Sequence, residues 1–196
     1  MIRATFIAVL LGIIVFFVYL GFYTGYYRSV EIAETKAPAF ILLSKDHLGP
    51  YHKIVPVIEE VETWAKSKGI DCSKSFGLYI DDPKVAEEIR LKSKGGCILN
   101  KRLTADLISQ LPQGFTESLF PEDGSEGDYV KAVFDGAPGI GPLKVYPAVL
   151  NFIEEKRLPF VGWNVLEVYE TNTGKSGNAM TTSYYFPLLS SEPMPE

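Results

Sequence analysis

The chain consists of an unbroken apolar segment near its start and a longer part in which hydrophobic and polar residues are mixed. Residues 4–27 hold no charged side chain, and Arg3 and Arg28 flank them. As an α-helix this segment would be about 36 Å long at ~1.5 Å per residue, which exceeds the roughly 30 Å of a bilayer's hydrocarbon core. Aromatic rings crowd its C-terminal end, as is typical of segments that end at the membrane–water interface. The pattern therefore predicts a single membrane-spanning anchor over residues 4–27.

A cleavable signal peptide is the alternative interpretation of this segment. Signal peptides have a shorter apolar region of about 7–15 residues, followed by small side chains. Here the apolar run is longer and ends in the bulky Tyr26 and Tyr27, so an uncleaved anchor is favoured. The basic residues Arg3, Arg28 and Lys36 are divided almost evenly between the two ends, so the positive-inside rule leaves the orientation open.

Two later stretches show the apolar period of an amphipathic helix. In the first, apolar residues recur at helical spacing over 54–65, Pro56 suits the first turn, and Gly69 suits the end. In the second, the same spacing recurs over 145–153, and Pro147 is expected in the first turn. The sequence therefore predicts two main helices of similar kind.

Short apolar or alternating segments between turn residues predict the strands. A strand or a tether is expected over 30–38, and strands are expected over 39–43, 75–80, 96–99, 115–119, 128–134, 164–169 and 181–188. Between these segments we expect a short helix over 104–111, a charged connection up to Lys94, an acidic loop over 121–127 and a polar loop over 171–178.

The order of these elements repeats along the chain. Residues 49–50 and 141–142 are both Gly-Pro, each pair precedes a helix, and each helix precedes a strand that ends in Tyr79 or Tyr169. Two such units side by side bury apolar surface that a single unit would leave exposed to water. The prediction is an α+β fold: duplicated β-α-β-β units form one curved antiparallel sheet with two main helices, preceded by a single transmembrane helix. A groove is expected at the seam of the repeats, on the open face of the sheet.

Composition narrows the classes of function. The formal net charge of −5 and the pI near 5.2 argue against a nucleic acid partner, because phosphate binding needs a basic surface. We interpret His47 and His52 as surface residues, with metal or haem ligation as the alternative. The sequence has neither a Gly-x-Ser-x-Gly nucleophile motif nor a phosphate-binding loop. We therefore expect no metal and no cofactor.

The two cysteines, Cys72 and Cys97, each lie near the start of a predicted strand. On neighbouring strands they would form a disulfide in an oxidising compartment or stay buried thiols in a reducing one. We expect thiols, and with them a cytosolic location of the domain that follows the anchor.

Several motifs, in their order, resemble the GyrI-like family, which includes the SOUL and Rob/BmrR effector-binding domains. These motifs are Gly-Pro-Tyr at 49–51, the helix that ends near Trp64, Phe-Gly-Leu-Tyr at 76–79 followed by Asp-Asp-Pro, and Leu-Glu-Val-Tyr at 166–169. Within the family, the chain is similar to a group of membrane-anchored receptors for autophagy of the endoplasmic reticulum, on residues 25–26, 30–32, 72 and 146–158.

The resemblance implies a division of the chain and a class of function. Residues 4–27 would be the anchor, 28–38 a tether, 39–189 a GyrI-like domain and 190–196 a short tail. It also implies that the domain binds a small molecule, and that a glutamate lies at the floor of the groove in relatives that bind lipophilic cations.

Glu167 is the main candidate for chemistry, because it interrupts an apolar strand. Strand alternation places Val165, Glu167 and Tyr169 on one face, opposite Leu166 and Val168. A carboxylate among aromatic rings attracts a cation through both its charge and the ring quadrupoles. The alternative is that Glu167 simply belongs to a solvated face of the sheet.

Further residues are assigned to the same ligand-binding site, namely Tyr51, Gly77, Tyr79, Trp163 and Tyr169. Gly77 is the position that matches Glu167 in the other repeat, and it would either leave one wall of the pocket open or form a bulge. Trp64 is expected in the core. Tyr184 and Tyr185 point to opposite faces of the last strand, so only one of them can face the groove.

These observations favour a membrane-anchored, non-catalytic domain that binds a small amphipathic or cationic ligand, with the lipid bilayer as its other partner through residues 4–27. Two alternatives stay open. One is a small-molecule hydrolase in which Glu167 activates water and Tyr79 polarises the substrate, an activity that some GyrI-like relatives have. The other is a membrane receptor or scaffold that binds a protein partner in the groove.

Overall fold

A computed structural model of the chain describes residues 2–37, 39–72, 74–121, 127–160, 162–171 and 180–189. The predicted tail and most of the predicted acidic and polar loops lie outside the described residues. Elsewhere the order of helices and strands follows the repeat that the sequence indicates, and five of the strands are longer than predicted.

The helices and strands have the following bounds. The α-helices are α1 (Ile2–Thr24), α2 (Val55–Ser67), α3 (Ala105–Ser109) and α4 (Gly141–Lys156). The strands are β1 (Glu31–Ala37), β2 (Phe40–Leu48), β3 (Lys74–Tyr79), β4 (Lys92–Leu99), β5 (Phe115–Phe120), β6 (Gly127–Gly136), β7 (Val165–Thr171) and β8 (Met180–Pro187). Lys94 therefore lies within β4, and its interpretation as part of a connection is wrong. The predicted short helix is present as α3, and Thr104 caps it by accepting a hydrogen bond from the backbone N–H of Leu107.

The strands form one antiparallel sheet in the order β1-β6-β8-β7-β3-β4-β2-β5. The six inner strands belong to two units of the same kind, β2-α2-β3-β4 and β6-α4-β7-β8. The two units have the same internal strand order, and they meet where β3 pairs with β7 at the centre of the sheet. The predicted duplication of β-α-β-β units is confirmed. β1 pairs with β6 along its whole length, so the segment interpreted as a strand or a tether is a strand.

The sheet is strongly curved, and apolar side chains fill its inner face. Phe40 of β2 and Tyr185 of β8 lie four strands apart in the sheet, yet their ring centroids are 5.6 Å apart. In a flat sheet with strands about 4.8 Å apart, the separation would be ~19 Å. Phe120 of β5 and Tyr129 of β6 meet in the same way, at 5.8 Å. The expected position of the groove, on this open face, is therefore wrong because a packed core occupies it.

The helices α2 and α4 cover the outer face, one in each repeat. α2 follows the predicted apolar stripe and has Pro56 in its first turn. α4 begins at Gly141, so Pro147 lies inside the helix and its expected place in the first turn is wrong. The two repeats differ because Tyr51–Lys53 form a separate 3₁₀ turn before α2, whereas the second Gly-Pro pair itself opens α4.

The apolar helix α1 packs little of its surface against the rest of the protein. Between Thr5 and Thr24 its mean hydropathy is 2.7 and none of it is buried, so it is long and apolar enough to cross a membrane, as an N-terminal signal sequence also is. Its end is joined to the sheet: the backbone N–H of Ala137 donates to the Thr24 carbonyl (2.9 Å), and Arg28 donates to the Asp135 carbonyl (3.0 Å). α1 therefore ends beside the connection between β6 and α4.

Cys72 and Cys97 form a disulfide, with their Cα atoms 5.4 Å apart. The expectation of two thiols is wrong, because the chain enters β3 just after Cys72 and β3 pairs with β4, where Cys97 lies opposite Ser75. Disulfides persist mainly in oxidising compartments. The expected cytosolic location of the domain rested on reduced thiols, and it loses that support.

Candidate ligand-binding site

A cavity of about 1090 Å³ lies between α2 and α4, above the central strands β3 and β7. Ile54 and Ile58 line it on the α2 side, and Tyr146 and Leu150 line it on the α4 side. Its size is slightly above the range of about 300–1,000 Å³ that is typical of small-molecule sites. The cavity is at the seam of the two repeats, as predicted, but on the face that carries the helices.

Glu167 lies at the centre of the cavity floor. On β7 it is the register partner of Gly77 on β3 and of Tyr184 on β8. Its side chain faces the helices, whereas Leu166 and Val168 belong to the core on the inner face, as strand alternation predicts. Only 3% of Glu167 is exposed, which excludes the alternative of a solvated face.

Tyrosine hydroxyls surround the Glu167 carboxyl group. Tyr146 donates a hydrogen bond to Oε1 (2.7 Å), and Tyr169 donates one to Oε2 (3.0 Å). The hydroxyls of Tyr79 and Tyr169 form a further hydrogen bond (2.9 Å). Both carboxyl oxygens therefore have a donor, and the three rings stand around the acid.

Burial sets the protonation of this cluster. Burial raises the pKa of Glu167 from 4.5 to about 7, and the hydrogen bonds from Tyr146 and Tyr169 act in the opposite direction. The pKa values of Tyr79, Tyr146 and Tyr169 are raised well above their usual range, first by burial and then by the nearby Glu167 charge. Near neutral pH the site therefore combines a carboxyl group close to half ionisation with neutral hydroxyl donors.

Most residues assigned to the site from the sequence line the cavity, namely Tyr51, Tyr79, Trp163, Glu167 and Tyr169. Gly77 does not line it. A Cβ at Gly77 would lie 2.9 Å from the Tyr79 hydroxyl, so the missing side chain leaves room for the Tyr79 ring. The pairing of β3 continues through Gly77 on both sides, so the suggestion of a bulge is wrong.

Tyr146 is the residue of the cluster that was not predicted. Besides donating to Glu167, its ring stacks on Trp163 with centroids 5.2 Å apart. Tyr146 follows Val145 of the buried stripe, and a step of one residue turns the side chain by about 100° around the helix. It therefore points from the edge of the stripe into the cavity. An aromatic residue at the stripe's edge was the available signal.

The other aromatic predictions concern the core. Tyr184 packs in the core under α4 and Tyr185 in the core on the inner face, so their opposite orientation is confirmed. Trp64 is partly buried at the edge of the core, where it packs on Phe115 with centroids 5.9 Å apart. A shallower depression of about 500 Å³ lies beside this pair.

The two histidines lie near the Gly-Pro turn of the first repeat. His47 Nε2 is 3.2 Å from the Pro50 carbonyl, and His52 is an exposed residue at the rim of the cavity, 3.9 Å from Glu88. Throughout the described part of the chain, no three of His, Cys, Asp and Glu are grouped so that they could hold a metal ion.

Comparison by sequence finds no relative: no family model and no curated protein matches the chain. Comparison of structures does find the fold. The C-terminal domain of EcmrR matches with a TM-score of 0.61 and 15% identity, over 81% of this chain and 97% of that domain. EcmrR in its complex with DNA matches with a TM-score of 0.61 and 14% identity, over 95% of this chain and 67% of EcmrR.

A third solved structure, described as a hydrolase from Listeria innocua, matches with a TM-score of 0.52 and 14% identity, over 81% of this chain and 91% of that one. Identities this low establish the fold alone. The described part of the chain therefore shares the α+β fold of these proteins, with one curved antiparallel sheet of eight strands and an apolar helix in front of it.

Proposed function

We propose that this chain is a membrane-anchored binding domain for a small cationic amphiphile, which is held in the cavity between α2 and α4 with its positive charge at Glu167. The observation that carries the proposal is a buried carboxyl group at the centre of a large cavity with aromatic walls. The motifs that resemble effector-binding domains, together with the fold shared with the C-terminal domain of EcmrR, agree with a small-molecule-binding role.

A cation is the ligand whose charge complements this site. In the described residues no Lys, Arg or His forms an ion pair with Glu167. A buried carboxylate without a counter-charge is unfavourable, which is why its pKa is raised. A bound cation would supply the charge, and the faces of Tyr79, Tyr146 and Trp163 would add the attraction of their ring quadrupoles.

The anchor is supported by α1. Its apolar length suffices to cross a bilayer, and its surface is not covered by the rest of the protein. An exposed apolar helix of this length is stable in lipid, where its own backbone hydrogen bonds are complete.

The test is the affinity of rhodamine 6G, a rigid lipophilic cation, for the full chain in lipid nanodiscs, measured by fluorescence anisotropy and corrected with empty nanodiscs. We expect Glu167→Gln to weaken binding by about 1–3 kcal/mol, the size of a lost charge-assisted contact. The uncharged dye Nile red should lose much less. Equal affinity of both proteins for rhodamine 6G would remove Glu167 from the site.

Hydrolysis is the second candidate function, and the pKa of Glu167 is the observation that favours it. A buried carboxyl group with a pKa of about 7 suits a general base at neutral pH, and Tyr79 and Tyr146 could polarise a carbonyl. The fold shared with the hydrolase from Listeria innocua agrees with this candidate.

Turnover of a p-nitrophenyl ester distinguishes the two functions. A hydrolase would show a rate above buffer that disappears in Glu167→Ala and persists in Tyr185→Phe, which alters only the inner face. The binding proposal predicts that none of the three proteins exceeds the rate in buffer.

A further inference from the structure

The cavity has two different ends, which the register of the central strands identifies. At one end β3 finishes at Tyr79, where the cavity is lined by the polar residues Tyr51, His52 and Lys84. At the other end Met180 pairs with both Thr171 and Gly136, so this end adjoins the connection from β6 to α4. The cavity therefore runs along β3 and β7 from a polar end to the β6–α4 connection.

On the α4 side this second end is apolar, whereas Glu62 and Ser75 line the cavity on the α2 side, near the start of β3. The segment 137–143 reads Ala-Pro-Gly-Ile-Gly-Pro-Leu and contains no polar side chain. Pro138, Gly139, Pro142 and Leu143 from this segment line the cavity. Leu143 is 73% exposed, so the segment presents an apolar surface to the outside as well as to the cavity.

This apolar end is also where α1 joins the domain. Ala137 donates its backbone N–H to the carbonyl of Thr24, the last residue of α1. Lys144, one residue beyond the apolar segment, donates through Nζ to the carbonyls of Tyr26 (2.6 Å) and Arg28. The end of the apolar helix and the apolar end of the cavity are thus held together by hydrogen bonds from both sides of segment 137–143.

We propose that the cavity takes up its ligand directly from the bilayer, through the end formed by segment 137–143. The inference rests on the proposed function, because it requires α1 to span the membrane and Glu167 to bind a cation. If α1 ends at the membrane surface, segment 137–143 lies at that surface too, and an amphiphile can slide from the lipid into the cavity without crossing water. The charged head then reaches Glu167, and the alkyl chain stays along the apolar end.

The ligand class follows from this arrangement. It is a single-chain cationic amphiphile that partitions into the membrane, rather than a cation that arrives from solution. Its head must pass from the lipid headgroups to the aromatic floor, which a delocalised or quaternary cation does at a smaller desolvation cost than a primary ammonium group.

Two probes whose charged heads are both rhodamine xanthylium cations test the inference. Octadecyl rhodamine B stays in the bilayer, whereas rhodamine 6G exchanges through water. The protein is the full chain in vesicles with Trp64→Phe, so that quenching of Trp163 at the cavity wall is the signal. Octadecyl rhodamine is placed either in the same vesicles as the protein or in separate vesicles. The control is the Glu167→Gln variant with octadecyl rhodamine in the same vesicles, which measures the quenching that does not depend on the cavity.

We expect octadecyl rhodamine in the same vesicles to quench Trp163 at a mole fraction at least tenfold below that needed with Glu167→Gln, and not to quench it from separate vesicles. In Leu143→Gln the ratio of octadecyl rhodamine affinity to rhodamine 6G affinity should fall by about tenfold. If rhodamine 6G binds in a Glu167-dependent way but octadecyl rhodamine quenches wild type and Glu167→Gln alike, uptake from the bilayer is wrong and the proposed function stands. If neither probe shows a Glu167-dependent signal, the proposed function itself fails.

Discussion

Gly77 and Glu167 are register partners across the central strand pair, and each occupies the corresponding position of its own repeat. The repeats are thus related by an approximate twofold axis that passes between these two residues. At this position one repeat supplies the acid of the cavity floor, and the other has a glycine without a side chain. The two repeats are arranged symmetrically, but only one of them carries a carboxyl group at this position. The site is therefore asymmetric.

Alanine at Gly77 should impair the site more than the fold. The new Cβ would lie about 3 Å from the end of the Tyr79 ring, which can swing away at the expense of its hydrogen bond to Tyr169. We expect the affinity for rhodamine 6G to fall roughly three- to tenfold and the free energy of unfolding to fall by less than about 1 kcal/mol.

Gly96→Ala is the matched control for this substitution. Its Cβ would overlap the backbone carbonyl of Leu43, which is fixed in the sheet, so the free energy of unfolding should fall by more than about 3 kcal/mol. Urea unfolding compares the two variants. The opposite ranking of the two losses would contradict this account of Gly77.

Removing the Tyr146 hydroxyl should make Glu167 harder to ionise. The hydrogen bond from Tyr146 stabilises the carboxylate, so Tyr146→Phe should raise the pKa of Glu167 further above about 7. At pH 7 the affinity for a cation should then fall roughly three- to tenfold, and the midpoint of its pH dependence should move upward. Tyr185→Phe, on the inner face, should leave the midpoint where it is; an unmoved midpoint in Tyr146→Phe would contradict the prediction.

The sequence predicts the frame of the molecule well and the position of the cavity less well. Hydrophobic periodicity identified α2, α4 and the paired repeats, because burial of one face leaves a regular pattern. The alternation around Glu167 identified the acid for the same reason. The face that carries the cavity depends on how strongly the sheet is curved. Contacts between distant strands, such as that of Phe40 with Tyr185, determine this curvature, and no local sequence pattern indicates it. Tyr146 was missed because its role depends on how α4 packs over β7, which brings its hydroxyl to Glu167.

The stability of the domain should fall as pH rises through the pKa of Glu167. Its pKa in the folded protein, about 7, is above the value of 4.5 for the unfolded chain, so the folded state holds the proton more tightly. The stability that this gives is fully present below pH 4.5 and is lost as pH rises through 7. We expect wild type to lose about 2–3 kcal/mol more than Glu167→Gln between pH 5 and pH 8, measured by urea unfolding without ligand. Parallel losses in the two proteins would contradict it.

The disulfide should contribute measurably to stability. Cys72 and Cys97 are 25 residues apart, and closing a loop of that length stabilises a fold by about 3 kcal/mol. Reduction should lower the free energy of unfolding of the wild type by this amount and leave the double variant Cys72→Ala/Cys97→Ala unchanged. Alkylation of the unfolded, unreduced protein should modify neither cysteine; modification of both would show that the pair is not formed.

The pH profile of rhodamine 6G affinity tests the central claim most directly, because it reports whether the ionised Glu167 holds the cation. In wild type the affinity should be constant well above pH 7, fall by up to about tenfold for each pH unit below it, and level off near the affinity of Glu167→Gln. In Glu167→Gln it should be weaker at pH 8 and flat throughout. A flat profile in wild type, or the same profile in both proteins, would mean that the cation is held elsewhere.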